Sequence, residues 1–246
     1  MTWEQRTIYG FDCETTGTDV HSDRIVTATM VKVEAGRHVD SRSWLIDPGI
    51  EIPPRATEVH GITTAYAREH GTEPAGTLRD IARVVWKVLS SGYPLVVFNA
   101  AYDLSLLESE LARHRLPTIS SLFPAQGWHT LIDPMVLVRG LDMASRSFVK
   151  GRKYRLPDLC ERYGVDFVEA HDATSDAVGA SLLARAILTS EPTLSGLAPG
   201  ELFDLQRSWR AEDQRGFREW VQREGKTSSF ADIDDGWPLH SSLSSS

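Results

Sequence analysis

The sequence predicts an α/β fold, a mixed five-stranded sheet with helices on both faces, followed by a C-terminal helical extension. Three observations predict it. Three strand-like segments follow one another at the amino end with only short turns between them. Strand and helix patterns then alternate as far as about residue 188. Beyond Leu188 the chain changes texture, with Pro and Gly spacing a linker that leads into one long helical run.

Each element has its own signal. Thr7-Ile8-Tyr9-Gly10-Phe11-Asp12 reads as a buried strand that ends in polar residues, and Thr16-Gly17-Thr18-Asp19 as the turn after it. From Arg24 to Glu34 both alternating faces are apolar, as in a central strand. Ala35-Gly36-Arg37 is a tight connection to a third strand, His38 to Ile46, completing a meander. Asp47-Pro48-Gly49 and Pro53-Pro54 mark an irregular loop running to His60-Gly61-Ile62-Thr63. Leu78, Ile81, Ala82, Val85, Val88 and Leu89 recur at helical spacing, and Gly92 stops that helix. Leu95-Val96-Val97-Phe98 is a short apolar run expected of a strand covered on both faces, and Leu104, Leu107 and Leu111 mark the next helix. A strand at Thr130-Leu131-Ile132, a helix from Pro157 to Tyr163 and a last core helix from Ala173 to Leu188 follow. Leu202 to Val221 is helical in pattern, and Ser241 to Ser246 is a low-complexity end expected to be disordered.

Composition narrows the function classes. In 246 residues, 41% are hydrophobic and 24% charged, enough for a sizeable core. The net charge of −8 argues against a polybasic nucleic-acid coat, but not against an enzyme that reaches phosphates through cations held by its own acids. Two cysteines, Cys13 and Cys160, match no disulfide framework or zinc spacing. There is no signal-peptide pattern and no apolar run of membrane-spanning length, so a cytoplasmic protein without a membrane partner is expected.

Asp12 and Glu14, two residues apart at a strand end, point to the same side of the sheet. They are either solvated acids or a pair that needs a cation between its charges. Asp103 follows the apolar strand through Asn99-Ala100-Ala101-Tyr102, where open α/β sheets place ligands, although an Asp at a helix start also serves as an N-cap. Asp176 lies in the first turns of the last core helix among Ala173, Ala177 and Ala180, small enough to let the helix approach the sheet. His171 precedes it.

Taken jointly, Phe11-Asp12-Cys13-Glu14-Thr15-Thr16-Gly17, Phe98-Asn99-Ala100-Ala101-Tyr102-Asp103 and His171 to Asp176 resemble the DnaQ-like (DEDDh) 3′–5′ exonucleases. This group includes the proofreading epsilon subunit of bacterial DNA polymerase III, ribonuclease T and oligoribonuclease. The resemblance takes in Val59-His60-Gly61-Ile62-Thr63, Ile132-Asp133 and Leu156 to Gly164, and covers about residues 6–190. Phe98 departs from the histidine usual before this Asn; it is not a metal ligand, so catalysis is expected to survive. The resemblance implies a ribonuclease H-like exonuclease domain over 1–190, and the remainder, 191–246, is a partly helical extension.

The family chemistry assigns Asp12, Glu14, Asp103 and Asp176 to two Mg²⁺ or Mn²⁺ ions and His171 to proton removal from the attacking water. It places Thr15, Thr16, His60 and Asn99 against the terminal nucleotide. The implied substrate is a single-stranded DNA 3′ end, with an RNA 3′ end or a non-catalytic, polymerase-associated module as alternatives. A DNA polymerase subunit is an implied partner. Arg146, Lys150, Arg152, Lys153 and Arg155 form a basic run, either a track for a phosphate backbone or a solvated charged face. Trp209, Phe217 and Trp220 of the extension either dock on a partner or fold back on the core, and a chain cut after Leu188 is expected to retain some activity.

Overall fold

Strands β1 (Ile8–Thr15), β2 (Ile25–Glu34), β3 (Arg37–Leu45), β4 (Leu95–Val96) and β5 (Leu131–Ile132) form one sheet in the order β3-β2-β1-β4-β5. The first three are antiparallel, and β1, β4 and β5 run parallel, so the sheet is mixed. The helices are α1 (Pro54–His60), α2 (Thr64–His70), α3 (Pro74–Ser90), α4 (Ala100–Arg113), α5 (Ile119–Leu122), α6 (Pro134–Ala144), α7 (Leu156–Arg162), α8 (Ala173–Ser190), α9 (Pro192–Ser195) and α10 (Pro199–Arg223). These come from a computed structural model that describes residues 2–122, 125–145, 154–167, 172–226 and 236–243. The architecture is the ribonuclease H-like one that the sequence resemblance implies.

Alternation along β1 divides the core. Phe11 and Cys13 point into a cluster with Leu78, Ile81 and Val85 of α3 and Leu104 and Leu107 of α4. Ile8 points the other way, among Ala180, Leu183, Ala184 and Ile187 of α8. Gly10 lies on that second face directly beneath α8. A Cβ there would come within 2.3 Å of Ser181 Oγ and 2.5 Å of the Ala177 carbonyl oxygen. Only a residue without a side chain lets the helix cross β1 so closely.

The segment read as irregular from Asp47 to Thr63 contains α1, and α2 starts directly after it. Pro54 does not break α1; it occupies the first turn, where its missing N–H costs nothing. Gly61, at φ 77°, closes α1, and the Thr63 side chain caps α2 by accepting from Tyr66 N–H.

Helix α10 runs along the outer edge of β5. Its Leu202 enters one core and its Phe203 the other. Between them Gln206 Oε1 accepts from Asp133 N–H at 2.7 Å, while its Nε2 donates to the Leu131 carbonyl at 3.0 Å. The amide of one buried glutamine thus makes the bonds that a sixth strand would make. Trp209 folds back onto Gly140 of α6, and Phe217 stacks on Trp220 at 5.7 Å. The end expected to be disordered is partly ordered. Leu239 is buried in the first core, His240 N–H donates to Ser105 Oγ at 2.8 Å, and Ser241–Leu243 form a 3₁₀ turn.

Candidate active site

The acids converge because two elements meet at the carboxyl end of β1. Asp12 and Glu14 extend from the α8 face of that strand, and Asp176 descends from the first turn of α8. Carboxylate oxygens of Asp12, Glu14 and Asp176 all lie within 4.8 Å of one another. Asp172 fixes the start of the helix, accepting from the Thr174 and Ser175 N–H groups at 3.1 Å each.

Asp103 arrives from the opposite layer. Strand β4 pairs with β1 only at Tyr9 and Gly10, so the same edge of β1 is open further along. There Cys13 N–H donates to Asp103 Oδ1 at 3.1 Å. Asp103 is 4% exposed and stands outside the tight triad, yet close enough for its charge to act on Asp12.

The electrostatics follow from this crowding. Burial, then the charges of Asp103, Asp176, Glu14 and Asp172, holds Asp12 well above the usual carboxylate range. Burial together with Asp176 and Asp172 pushes Glu14 up to about 8. Asp103 is likewise raised by burial to about 8, against the opposing pull of the Cys13 N–H. Three half-buried carboxylates facing one another are the donor set that suits a hard divalent cation, so Asp12, Glu14 and Asp176 could hold one, and the buried Asp103 stands beside them.

The flanking loop has a different character. Thr16 is buried, its hydroxyl donating to Asp23 at 2.7 Å and its N–H to the Arg24 carbonyl at 2.9 Å, so both groups serve the loop itself. Thr15 Oγ1 bonds the Gly17 carbonyl and the Tyr102 hydroxyl, each at 2.7 Å. His60 Nδ1 accepts from Ile62 N–H at 3.1 Å, leaving the ring proton on Nε2, which is buried without a hydrogen-bond partner. Burial lowers the His60 pKa, against the opposing effect of the Thr15 main chain beside it. Asn99 sits at φ 59°, ψ 49° and its side chain does not cap α4. Its N–H and that of Ala100 donate instead to Asp133, at 3.1 and 2.9 Å, and Asp133 also caps α6. Phe98 packs into the α8-side core.

The structure therefore brings Asp12, Glu14 and Asp176 together, sets Asp103 next to them, and places Thr15 and His60 beside the same strand end. His171 lies outside the described residues, as do Arg146, Lys150, Arg152 and Lys153. Arg155 pairs with Asp158 at 2.8 Å. Sequence reading did not single out Tyr102, Asp133 or Asp172. Asp172 was findable as the Asp of an Asp-x-x-Ser helix start, whereas nothing local to Tyr102 announces a partner 87 residues away.

Comparison with known proteins gives the same answer. A family model, RNase_T, described as an exonuclease, matches residues 9–181. The PolC-type DNA polymerase III of Streptococcus thermophilus is 30% identical over 177 residues, which is 71% of this chain and 10% of that protein. The Streptococcus pyogenes enzyme of the same name is 25% identical over 213 residues, 87% of this chain and 13% of that one. This chain thus spans about a tenth of the length of these curated relatives. Among solved structures, a zinc-bound Escherichia coli exonuclease I in complex with single-stranded DNA superposes with a TM-score of 0.63 at 21% identity, over 77% of this chain and 42% of that one. Exonuclease I of Methylocaldum szegediense gives 0.59 at 24% identity, with the same coverage of both chains. No helix among the described residues is long and apolar enough to cross a membrane. By its matched family model, its PolC-type relatives and its fold, the chain belongs to the DnaQ-like 3′–5′ exonuclease family.

Proposed function

We propose that this chain is a divalent-metal-dependent 3′–5′ exonuclease that removes nucleoside 5′-monophosphates one at a time from single-stranded DNA ends. The observation that carries the reading is the carboxylate triad of Asp12, Glu14 and Asp176, with Asp103 held beside it by Cys13 N–H. These residues are the ones to hold Mg²⁺ or Mn²⁺, as two ions. When bound, the ions supply charge neutralisation for the phosphodiester, a more acidic water and stabilisation of the departing 3′ oxygen. The chain's residues do the rest. Asp12 and Glu14 are held rigid by the β1–β2 ladder, and Asp176 by the capped first turn of α8. Asp103 keeps its orientation through Cys13 N–H. His171 takes the proton of the attacking water, as a neutral imidazole suits near pH 7. Thr15, His60 and Asn99 border the place for the terminal nucleotide, with Thr16 stiffening the loop behind it.

Likeness to PolC-type polymerases supports a polymerase as the assembly in which this activity is used. The experiment is digestion of 5′-labelled oligonucleotides, DNA and RNA, single-stranded and duplex, with and without Mg²⁺. Mononucleotide release from single-stranded DNA, lost with EDTA and reduced at least about a hundredfold by Asp12→Ala, is the expected result. Preference for RNA would reassign the substrate, and no release with any divalent ion would leave only a binding module.

A further inference from the structure

Resting on the exonuclease reading, we propose that Asp133 is a positioning residue for Asp103, and that the C-terminal extension completes its support through Gln206 and Trp237. Asp103 lies in the first turn of α4, and no side chain at the helix start caps that turn. The helix opens on Asn99 in a left-handed backbone conformation, which persists only where the surroundings hold it. The N–H groups at such a start need acceptors from elsewhere in the fold. Asp133 supplies them. Its Oδ1 accepts from Asn99 N–H at 3.1 Å and its Oδ2 from Ala100 N–H at 2.9 Å. Oδ1 also accepts from Met135 and Val136 N–H at 3.0 and 3.4 Å. One buried carboxylate thus pins the starts of α4 and α6 together.

Asp133 is itself held from the extension. Gln206 of α10 accepts its N–H at 2.7 Å, and Trp237 Nε1 donates to Oδ2 at 3.4 Å, with the indole ring 5.1 Å from that of Phe203. His240 N–H donates to Ser105 Oγ, two residues beyond Asp103 on α4. Gln206, Trp237 and His240 all fall outside the stretch 9–181 that matches the family model. The start of α4 is therefore fixed from two sides: by β1, through Cys13 N–H on Asp103, and by the extension, through Asp133. Both oxygens of Asp133 face N–H donors, so Asp133→Asn sets an N–H against an N–H in either orientation of the amide. The first turn of α4 then frays, and Asp103 drifts from the other acids.

The test compares the full chain with Asp133→Asn, Trp237→Phe and a matched control, Glu108→Gln. Glu108 is a buried carboxylate further along α4 that accepts from Ile119 and Ser120 N–H. Mn²⁺ binding is measured by titration calorimetry without substrate, and kcat and KM on a single-stranded DNA oligonucleotide in saturating Mg²⁺. Asp133→Asn should weaken Mn²⁺ binding about tenfold and lower kcat with KM unchanged. Trp237→Phe leaves every charge in place and keeps an aromatic ring for Phe203, and should weaken Mn²⁺ binding about threefold. Glu108→Gln should melt earlier but bind Mn²⁺ as the wild type does. Wild-type Mn²⁺ affinity in Asp133→Asn, or an equal loss in Glu108→Gln, overturns the proposal. Unchanged affinity in Trp237→Phe overturns it too, whether or not Asp133→Asn folds, because the charge of Asp133 alone would then account for its effect. A wild type that neither binds Mn²⁺ nor releases nucleotides overturns the exonuclease reading as well, whereas an active wild type with unmoved variants overturns this inference alone.

Discussion

At the scale of single residues, the site is a set of carboxyl groups kept from ionising by burial and by one another. Glu14 and Asp103 have ordinary values of 4.5 and 3.8 but are both pushed up to about 8 in the fold. Between those limits the native state binds more protons than the unfolded one, so the stability these groups lend is complete below about pH 4 and lost as pH rises towards about 8. In EDTA, thermal melts should therefore show a midpoint that falls from pH 6 to pH 8.5. Mg²⁺ should remove most of that fall, because a bound cation takes the place of the protons. A midpoint in EDTA that stays flat over that range would mean the carboxylates are further apart or wetter than described. The acids themselves were legible in the sequence, because strand periodicity places Asp12 and Glu14 on one side and the family pattern points to Asp103 and Asp176. The work of Tyr102 and Asp133 was not legible, since each acts through main-chain or hydroxyl groups far away in the chain.

Among the elements, α8 depends on how closely it can sit on β1. Gly10→Ala places a methyl group against Ser181 and the Ala177 carbonyl. It should cost about 1–3 kcal/mol in chemical denaturation. Because lifting α8 carries Asp176 away from Asp12, activity should fall further than stability. Equal activity at the permissive temperature would show that α8 does not set the triad. Helix α10 offers a second case. Gln206→Leu keeps the bulk but leaves Asp133 N–H and the Leu131 carbonyl without their buried partner. About 2 kcal/mol of stability should go with it in the same assay. Strand and helix types were readable from periodicity over most of the chain. They were not readable at α1 and α2, where paired prolines and a His-Gly step suggested a loop. Pro54 in the first turn and Gly61 at the left-handed C-cap are breakers only when they fall inside a helix.

For the whole molecule, the question is where the catalytic body ends. The sequence suggests a break near residue 190, because the linker composition begins there and the resemblance stops. The packing argues against activity in a chain cut after Leu188. Leu194 and Leu202 are fully buried and Phe203 nearly so, all within the two cores that also hold the sheet. A chain ending at Ser190 should lose its cooperative melt and elute as aggregate in size-exclusion chromatography. A folded, monomeric and active truncation would instead restore the boundary read from composition. The helix of the extension was legible from its pattern, but its docking was not, because Leu202 and Phe203 enter two different cores and the tie to β5 is one glutamine amide. That glutamine has a further consequence. The β5 margin is closed by a side chain, while the β3 margin from Arg37 to Ser43 lies exposed. Growth by edge-to-edge stacking requires two open margins per molecule, so copies of this chain that join through their strands should stop at pairs rather than lengthen into fibres.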